Sequence, residues 1–275
     1  MEPSPTPTDL HPKVAFAGDW HGDRIWANAR LQSLGERGVN VVVHVGDFGI
    51  WPSTSGKTFL RTVEAVCDKY DIALLVVPGN HEDWGRLTTL WENPKRRAAD
   101  GSMLPLYLTD HIAVLPRGWR WEMGERSFVA LGGAPSVDLH SRDLSRDWWP
   151  QEQMTQEDVD YTIAGGYADV MVTHDAPAPP WASPPVEAIL SSNPMGWPDS
   201  ALKYARVGRE RVTEAFLGVR PRLLVHGHYH CSGQATMLLP GADYDTTVWS
   251  LHMQGHGGNI RLLDLETFSD VVVAR

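Results

Sequence analysis

Five short blocks of Asp, Asn and His stand along the chain: Asp19-Trp20-His21, Gly46-Asp47, Gly79-Asn80-His81-Glu82, His174-Asp175 and His226-Gly227-His228-Tyr229-His230. In an extended backbone, residues two apart point the same way. Asp19 and His21 can therefore grip one ion together, and so can His228 and His230. Mixed carboxylate, amide and imidazole donors suit manganese, iron, zinc or cobalt better than calcium. The glycines at positions 18, 46, 79 and 227 let the chain turn sharply and approach an ion closely. Asp19 and Asp47 would neutralise only part of the charge of two divalent ions, and the remainder matches a hydroxide and a phosphate. Turn formation and helix capping explain any one such block, but not all five in succession.

Each block follows an apolar run that reads as a strand: Lys13 to Gly18, Val39 to Val45, Ile72 to Val77, Asp169 to Thr173 and Leu223 to His226. Helices are expected between them. Arg24 to Arg37 carries Ala27, Leu31 and Leu34 on one face, and Lys57 to Tyr70 aligns Phe59, Val63, Val66 and Tyr70. Further helices are expected over Gln151 to Ala164 and Asp199 to Leu217, with short strand pieces between His111 and Ala134. Continuous apolar strands joined by amphipathic helices imply a sheet covered on both faces. Right-handed crossovers then bring the strand C-termini to one edge, where ligands of α/β sheets bind. Pro177 to Pro198, with seven prolines in 22 residues, reads as a long irregular loop. Beyond Gly233 the pattern is β-rich, with strands expected at Ala235 to Leu239, Thr246 to Leu251, Asn259 to Leu265 and Val271 to Val273. The expected class is an α/β sandwich with a β-rich C-terminal half.

Length and composition set outer bounds. A chain of 275 residues fits one domain over residues 13–275, preceded by a flexible tail at residues 1–12 that holds four prolines. With 24 basic and 34 acidic side chains the formal charge is −10, which argues against a broad grip on extended nucleic acid. A small nucleotide is compatible with it. No run approaches the roughly 18 apolar residues of a membrane span, and no signal-peptide core is visible. The two cysteines, Cys67 and Cys231, build no disulfide framework, so a reducing cytoplasm is expected. Nothing in the sequence sets an oligomeric state.

The five blocks, in this order, resemble the calcineurin-like metallophosphoesterase superfamily, whose pattern is Asp-x-His, Gly-Asp, Gly-Asn-His-Asp/Glu, a lone His and Gly-His-x-His. The resemblance spans Asp19 to His230. It implies a four-layer α/β/β/α sandwich of two mixed sheets. It implies Asp19, His21, Asp47 and His230 on one metal, and Asp47, Asn80, His174 and His228 on the other, with Asp47 bridging. The implied cofactors are two divalent ions, manganese first, with iron, zinc, cobalt or nickel as alternatives. Two such ions roughly 3.5–4 Å apart clamp a phosphoryl group and acidify a bridging water, whose hydroxide attacks phosphorus. By the same resemblance His81 is not a ligand but protonates the leaving alkoxide, or binds a phosphate oxygen, as imidazolium.

Other residues carry weaker signals. Arg24 opens a helix beside the first block and is a candidate for substrate contact; a surface ion pair is the alternative. His252 and His256 are candidates for the pocket rim. Trp20, Trp51 and Trp84 lie near the metal blocks and could stack on a base, although core packing is commoner for Trp. Glu82 reads as a helix start or a residue orienting a ligand. His44 reads as a buried, hydrogen-bonded histidine, and the family pattern leaves His226 out of the metal set. His140, Arg142 and Asp143 precede Trp148 and Trp149 in a loop that could reach the site. After Gly46-Asp47 the chain continues Phe48-Gly49-Ile50-Trp51, lacking the second Asp and the Arg of the protein Ser/Thr phosphatase branch. The partner of His81 is thereby unidentified. The departure, with the Trp-Trp-Pro run at Trp148 to Pro150, favours the small bacterial and phage members, and so a phosphodiester of a small nucleotide, cyclic ones included. A phosphomonoesterase or phosphoprotein phosphatase is the alternative. A non-catalytic binding protein on the same scaffold would have lost ligands, and none is lost.

Overall fold

The computed structural model describes residues 13–271. The expected tail at residues 1–12, and the last two residues of the strand expected at Val271 to Val273, lie outside the described residues. The fold is an α/β sandwich of two mixed sheets. The first sheet contains β1 (Lys13–Ala17), β2 (Val41–His44), β3 (Ala73–Val76), β4 (Leu106–Tyr107), β5 (Ile112–Val114), β12 (Ile260–Asp264) and β13 (Ser269–Val271), in the order β13-β12-β1-β2-β3-β5-β4. The second contains β6 (Arg120–Met123), β7 (Arg126–Leu131), β8 (Val170–Thr173), β9 (Leu223–His226), β10 (Gly233–Leu238) and β11 (Asp245–Ser250), in the order β10-β11-β9-β8-β7-β6. In each sheet a parallel centre is flanked by antiparallel edge strands.

The strand alternation explains the layering. On β1, Val14 and Phe16 face the gap between the sheets, together with Val43, Phe128, Val170, Val172, Leu223 and Val225. Ala15 and Ala17 face the other way and pack with Leu31 and Leu34 of α1 (Arg24–Gly35), Phe59 and Val63 of α2 (Thr54–Tyr70), and Leu87 of α3 (Trp84–Trp91). Met171 and Leu224 in the second sheet pack outward on Val159 of α4 (Gln156–Ala164) and on Val212 and Phe216 of α6 (Asp199–Val219). Both faces of the central strands are buried along most of their length, in β8 and β9 throughout, which is why these strands read as unbroken apolar runs.

Three sequence expectations change. The strand ends do not share one sheet: β1, β2 and β3 end in the first sheet, β8 and β9 in the second. A continuous apolar run says that both faces are covered, but not whether a helix or a second sheet covers them. The stretch from Pro177 to Pro198 is not irregular throughout, because it contains α5 (Pro184–Ser192). Proline is tolerated in the first helical turn, where its missing N–H has no partner to lose. The helix expected from Gln151 is a 3-10 turn at Pro150–Glu152, followed by α4 only after the Thr155 capping box. No helix among the described residues is long and apolar enough to cross a membrane.

Candidate metal centre

The five blocks meet where the two sheets end side by side. The donor atoms of Asp19, His21, Asp47 and His230 lie within 4.8 Å of one another, and so do those of Asp47, His174 and His228. Asp47 belongs to both groups, whereas His228 and His230, expected from their spacing to grip one ion together, fall in different groups, because both have left-handed rather than extended backbone. The Asn80 side-chain oxygen is 2.9 Å from His174 Nε2, which adds an amide donor to the second group. His21 Nε2 is 3.5 Å and His174 Nε2 3.4 Å from the Asp47 carboxylate, and His230 Nε2 is 3.1 Å from Asp19 Oδ2.

Backbone strain marks the same residues. Nine non-glycine residues in the described chain have positive φ, and four of them are His21, Asp47, His228 and His230. Left-handed backbone at such residues costs on the order of 1–3 kcal/mol each and persists where the surroundings over-determine it. Asp and His tolerate this backbone better than most residues, but unrelated turns would not gather four such residues, distant in sequence, into two adjoining donor groups. Gly46, at φ 110°, lies against His174, and an added Cβ would run into that imidazole. At Gly227 a Cβ would strike the Asp19 carboxylate.

Asp19 and Asp47 are fully buried, a costly place for two carboxylates without cations. Burial works to raise Asp47, yet His174, His81 and His21 together hold it well below the usual carboxylate range. Asp19 is lowered in the same way, against its burial, chiefly by its hydrogen bond to His230. Burial works to lower the imidazoles, but Asp47 and Asp19 raise His21 to about 9 and Asp47 raises His174 to about 10. His21 and His174 therefore hold protons where the carboxylates call for cations, while burial and the nearby His174 charge keep His228 neutral. Divalent ions fit this donor set because they supply the same positive charge to the same atoms.

A second layer holds the donors in place. Glu82 is buried and accepts hydrogen bonds from the Phe48, Gly49 and Gly79 amides at 2.6, 3.3 and 2.7 Å. It therefore ties the Asp47 loop to the Asn80 loop rather than capping α3, whose N-cap is Asp83. Burial, and then the Asp47 charge, pushes Glu82 up to about 7. Asn80 Nδ2 donates to Ser136 Oγ at 3.0 Å, and that hydroxyl donates to Glu152 Oε2 at 2.7 Å. The chain of donors fixes the amide flip so that the Asn80 oxygen faces His174. Ser136→Ala should therefore weaken metal binding at the His174 side by about ten- to a hundred-fold, the usual cost of losing such an orienting partner. Titration calorimetry should show one weakened and one intact site; two unchanged sites would exclude the orienting role. No feature of the sequence pointed to Glu152, because a lone Glu after Pro150-Gln151 carries no spacing signal.

His81 stands beside the centre, its Nε2 3.8 Å from Asp47 Oδ2 and its backbone amide donating to Asp47 Oδ1 at 2.9 Å. Closer to the ring than Asp47 is Arg142, whose Nη2 lies 2.8 Å from Nδ1 and 2.7 Å from Nε2. Burial lowers the His81 pKa, and the Arg142 charge adds to that against the pull of Asp47.

The remaining candidates lie outside the two groups. Arg24 is exposed on α1, and the Ile25 and Trp26 amides of that first turn are already taken by Asp23, so those amides offer no anion site. His252 stacks on His256 at 4.0 Å, in a loop whose Gln254 reaches His21 Nδ1 at 2.8 Å. His226 is buried, its Nδ1 against the Gly227 carbonyl. His44 is buried and accepts from the Gly46 amide. Trp20 and Trp84 are core residues, bonded to Asn259 and to the Gly79 carbonyl, so neither is a stacking platform; Trp51 is half-buried and donates to the His81 carbonyl.

The profile of the calcineurin-like phosphoesterase family matches residues 12–232. Among solved structures the chain is similar to TT1561 of Thermus thermophilus, at 12% identity and a TM-score of 0.55 over 95% of this chain and 98% of that one. It is similar to a dimetal phosphatase from Danio rerio at 11% identity and a TM-score of 0.56, over 94% and 93%. At these identities the likeness is one of fold. No curated protein matches the chain in sequence.

Proposed function

Since the chain belongs to the calcineurin-like phosphoesterase family, we propose that it is a two-metal hydrolase of small phosphodiesters, with a linear or cyclic nucleotide as the substrate class. The observation that carries this reading is the meeting of two donor groups on one buried carboxylate, Asp47. Asp19, His21 and His230 would hold one ion with Asp47, and Asn80, His174 and His228 the other. Manganese is the first candidate for both. When bound, such a pair supplies a Lewis acid for the phosphoryl oxygens and a water acidic enough to act as nucleophile at neutral pH. The protein's own part is to fix these donors around the buried Asp19 and Asp47, and to place His81 beside the leaving oxygen. The acidic balance of the chain favours a small substrate over extended nucleic acid. Cys67 and Cys231 are both unbonded thiols, which supports a cytoplasmic location.

The diester preference rests on the residues after Asp47. Ile50, fully buried, and Trp51 stand where the protein phosphatase branch carries its second Asp and its Arg. One observation favours the second reading, a phosphomonoesterase that includes phosphopeptides among its substrates: a guanidinium beside His81 rewards the extra charge of a monoester dianion. A single panel separates them. Metal-free protein loaded with manganese, zinc or magnesium is offered an aryl phosphate monoester, an aryl diester and cyclic mononucleotides. The expected result is turnover with manganese, faster on the diester. A monoester rate far above the diester rate would reverse the substrate class, and no turnover with any metal would end the enzyme reading.

A further inference from the structure

Arg142 is almost fully buried, with 9% of its side chain exposed, at the rim of the centre. Asp138, one helical turn earlier, takes two of its hydrogen bonds: Nε to Oδ1 at 2.7 Å and Nη2 to Oδ2 at 2.8 Å. Nη1 donates to the Asp147 carbonyl at 3.1 Å. These three bonds staple the loop and orient the guanidinium plane. The second Nη2 hydrogen is not needed for the staple, and it is the one turned on the His81 ring.

That last contact is a poor match. Nη2 lies almost equally far from both ring nitrogens and so along the lone pair of neither, whereas a phosphate oxygen accepts a charge-assisted bond about twice as strong as a neutral one. The His81 ring in turn stands 5.7 Å from that of His21 and within reach of Asp47. Arg142 Nη2, 2.7 Å from His81 Nε2, is therefore one imidazole away from the carboxylate that both donor groups share.

Building on the phosphoesterase reading above, we propose that Arg142 binds a non-bridging phosphoryl oxygen of the substrate, releasing His81 to face the leaving group, and that Asp138 is its positioning residue. This gives the chain, from the 136–149 loop, a guanidinium for the phosphoryl group that it lacks after Asp47.

The test uses the full-length protein loaded with manganese, with inorganic phosphate as the probe in titration calorimetry and metal content measured alongside. Arg142→Ala should keep both metals and weaken phosphate binding by about ten- to a hundred-fold, the loss of one charge-assisted bond. Asp138→Asn should weaken it less, and the double variant should bind no worse than Arg142→Ala alone. A purely structural Asp138 would instead add its own loss. Unchanged phosphate affinity in Arg142→Ala, with both metals retained, would overturn the assignment. Should Arg142→Ala fail to fold or lose metal, Arg142→Gln keeps most of the volume and carries the same expectation and the same overturning result. Phosphate binding needs no turnover. A wild type that binds phosphate but cleaves no ester would therefore count against the proposed function and leave Arg142 decided by its own variants.

Discussion

Asp47→Ala should leave a folded protein that retains neither metal ion. The expectation follows from Asp47 being, among the described residues, the one that both donor groups share. Its carboxylate lies within 3.5 Å of His21 and His174, and it also accepts the His81 amide. Loss of a residue that merely orients a ligand costs about ten- to a hundred-fold in metal affinity. Loss of a shared carboxylate must cost more at both positions together. Metal content after dialysis is the direct measurement. Retention of one tightly held equivalent would show that the two groups are independent and that Asp47 serves only one.

The same carboxylate governs pH dependence. In the metal-free chain His21 and His174 have pKa values raised from 6.5 to about 9 and about 10. A raised folded-state value means that this stabilisation is complete below pH 6.5 and is lost as pH rises through about 9–10. The metal-free protein should therefore lose stability across that window in thermal unfolding, and the metal-loaded protein should not. Metal must displace those protons, so its apparent affinity should rise with pH through the neutral range, with measurable proton release. Asp47→Ala removes the main group that raises both imidazoles and should flatten each dependence.

His81→Ala should behave in the opposite way, keeping both metals while losing rate. His81 bonds Asp47 through its backbone amide, which alanine preserves, and its side chain belongs to neither donor group. A positioned general acid contributes about 10²–10⁴-fold. The loss should depend on the leaving group, being small for a nitrophenolate, which leaves without a proton, and large for an alkoxide, which does not. Comparing kcat for an aryl and an alkyl ester of the same phosphate therefore separates proton donation from simple phosphate binding, which would reduce both alike. If His81→Ala also lost metal, His81 would belong with the ligands.

Much of this centre is written locally. Asp19 and His21 sit two apart after an apolar strand, and a strand that ends in Gly-Asp or Gly-His delivers that side chain at the sheet end wherever the sheet stands. Buried periodicity is equally local, so the α1 face of Ala27, Leu31 and Leu34 is legible and is the buried face. What surrounds the donors is not. Ser136 and Glu152 reach Asn80 from 56 and 72 positions away along the chain. Arg142 stands beside His81 at a separation of 61. Single polar residues in loops have no period, so their partners depend on how the loops cross in space. α5 was hidden for a related reason, since its prolines are breakers at most positions and tolerated in a first turn.

Donor types, their order and the strands that carry them are thus properties of a few adjacent residues, since ligand chemistry and strand burial are both set locally. The division of the strands between two sheets and the meeting of both donor groups on Asp47, which the family resemblance implies, are not written in any local pattern, and the arginine closest to the His81 ring needed the folded chain. Each depends on distances between residues far apart in the chain, which are set when two layers pack and their strand ends come side by side.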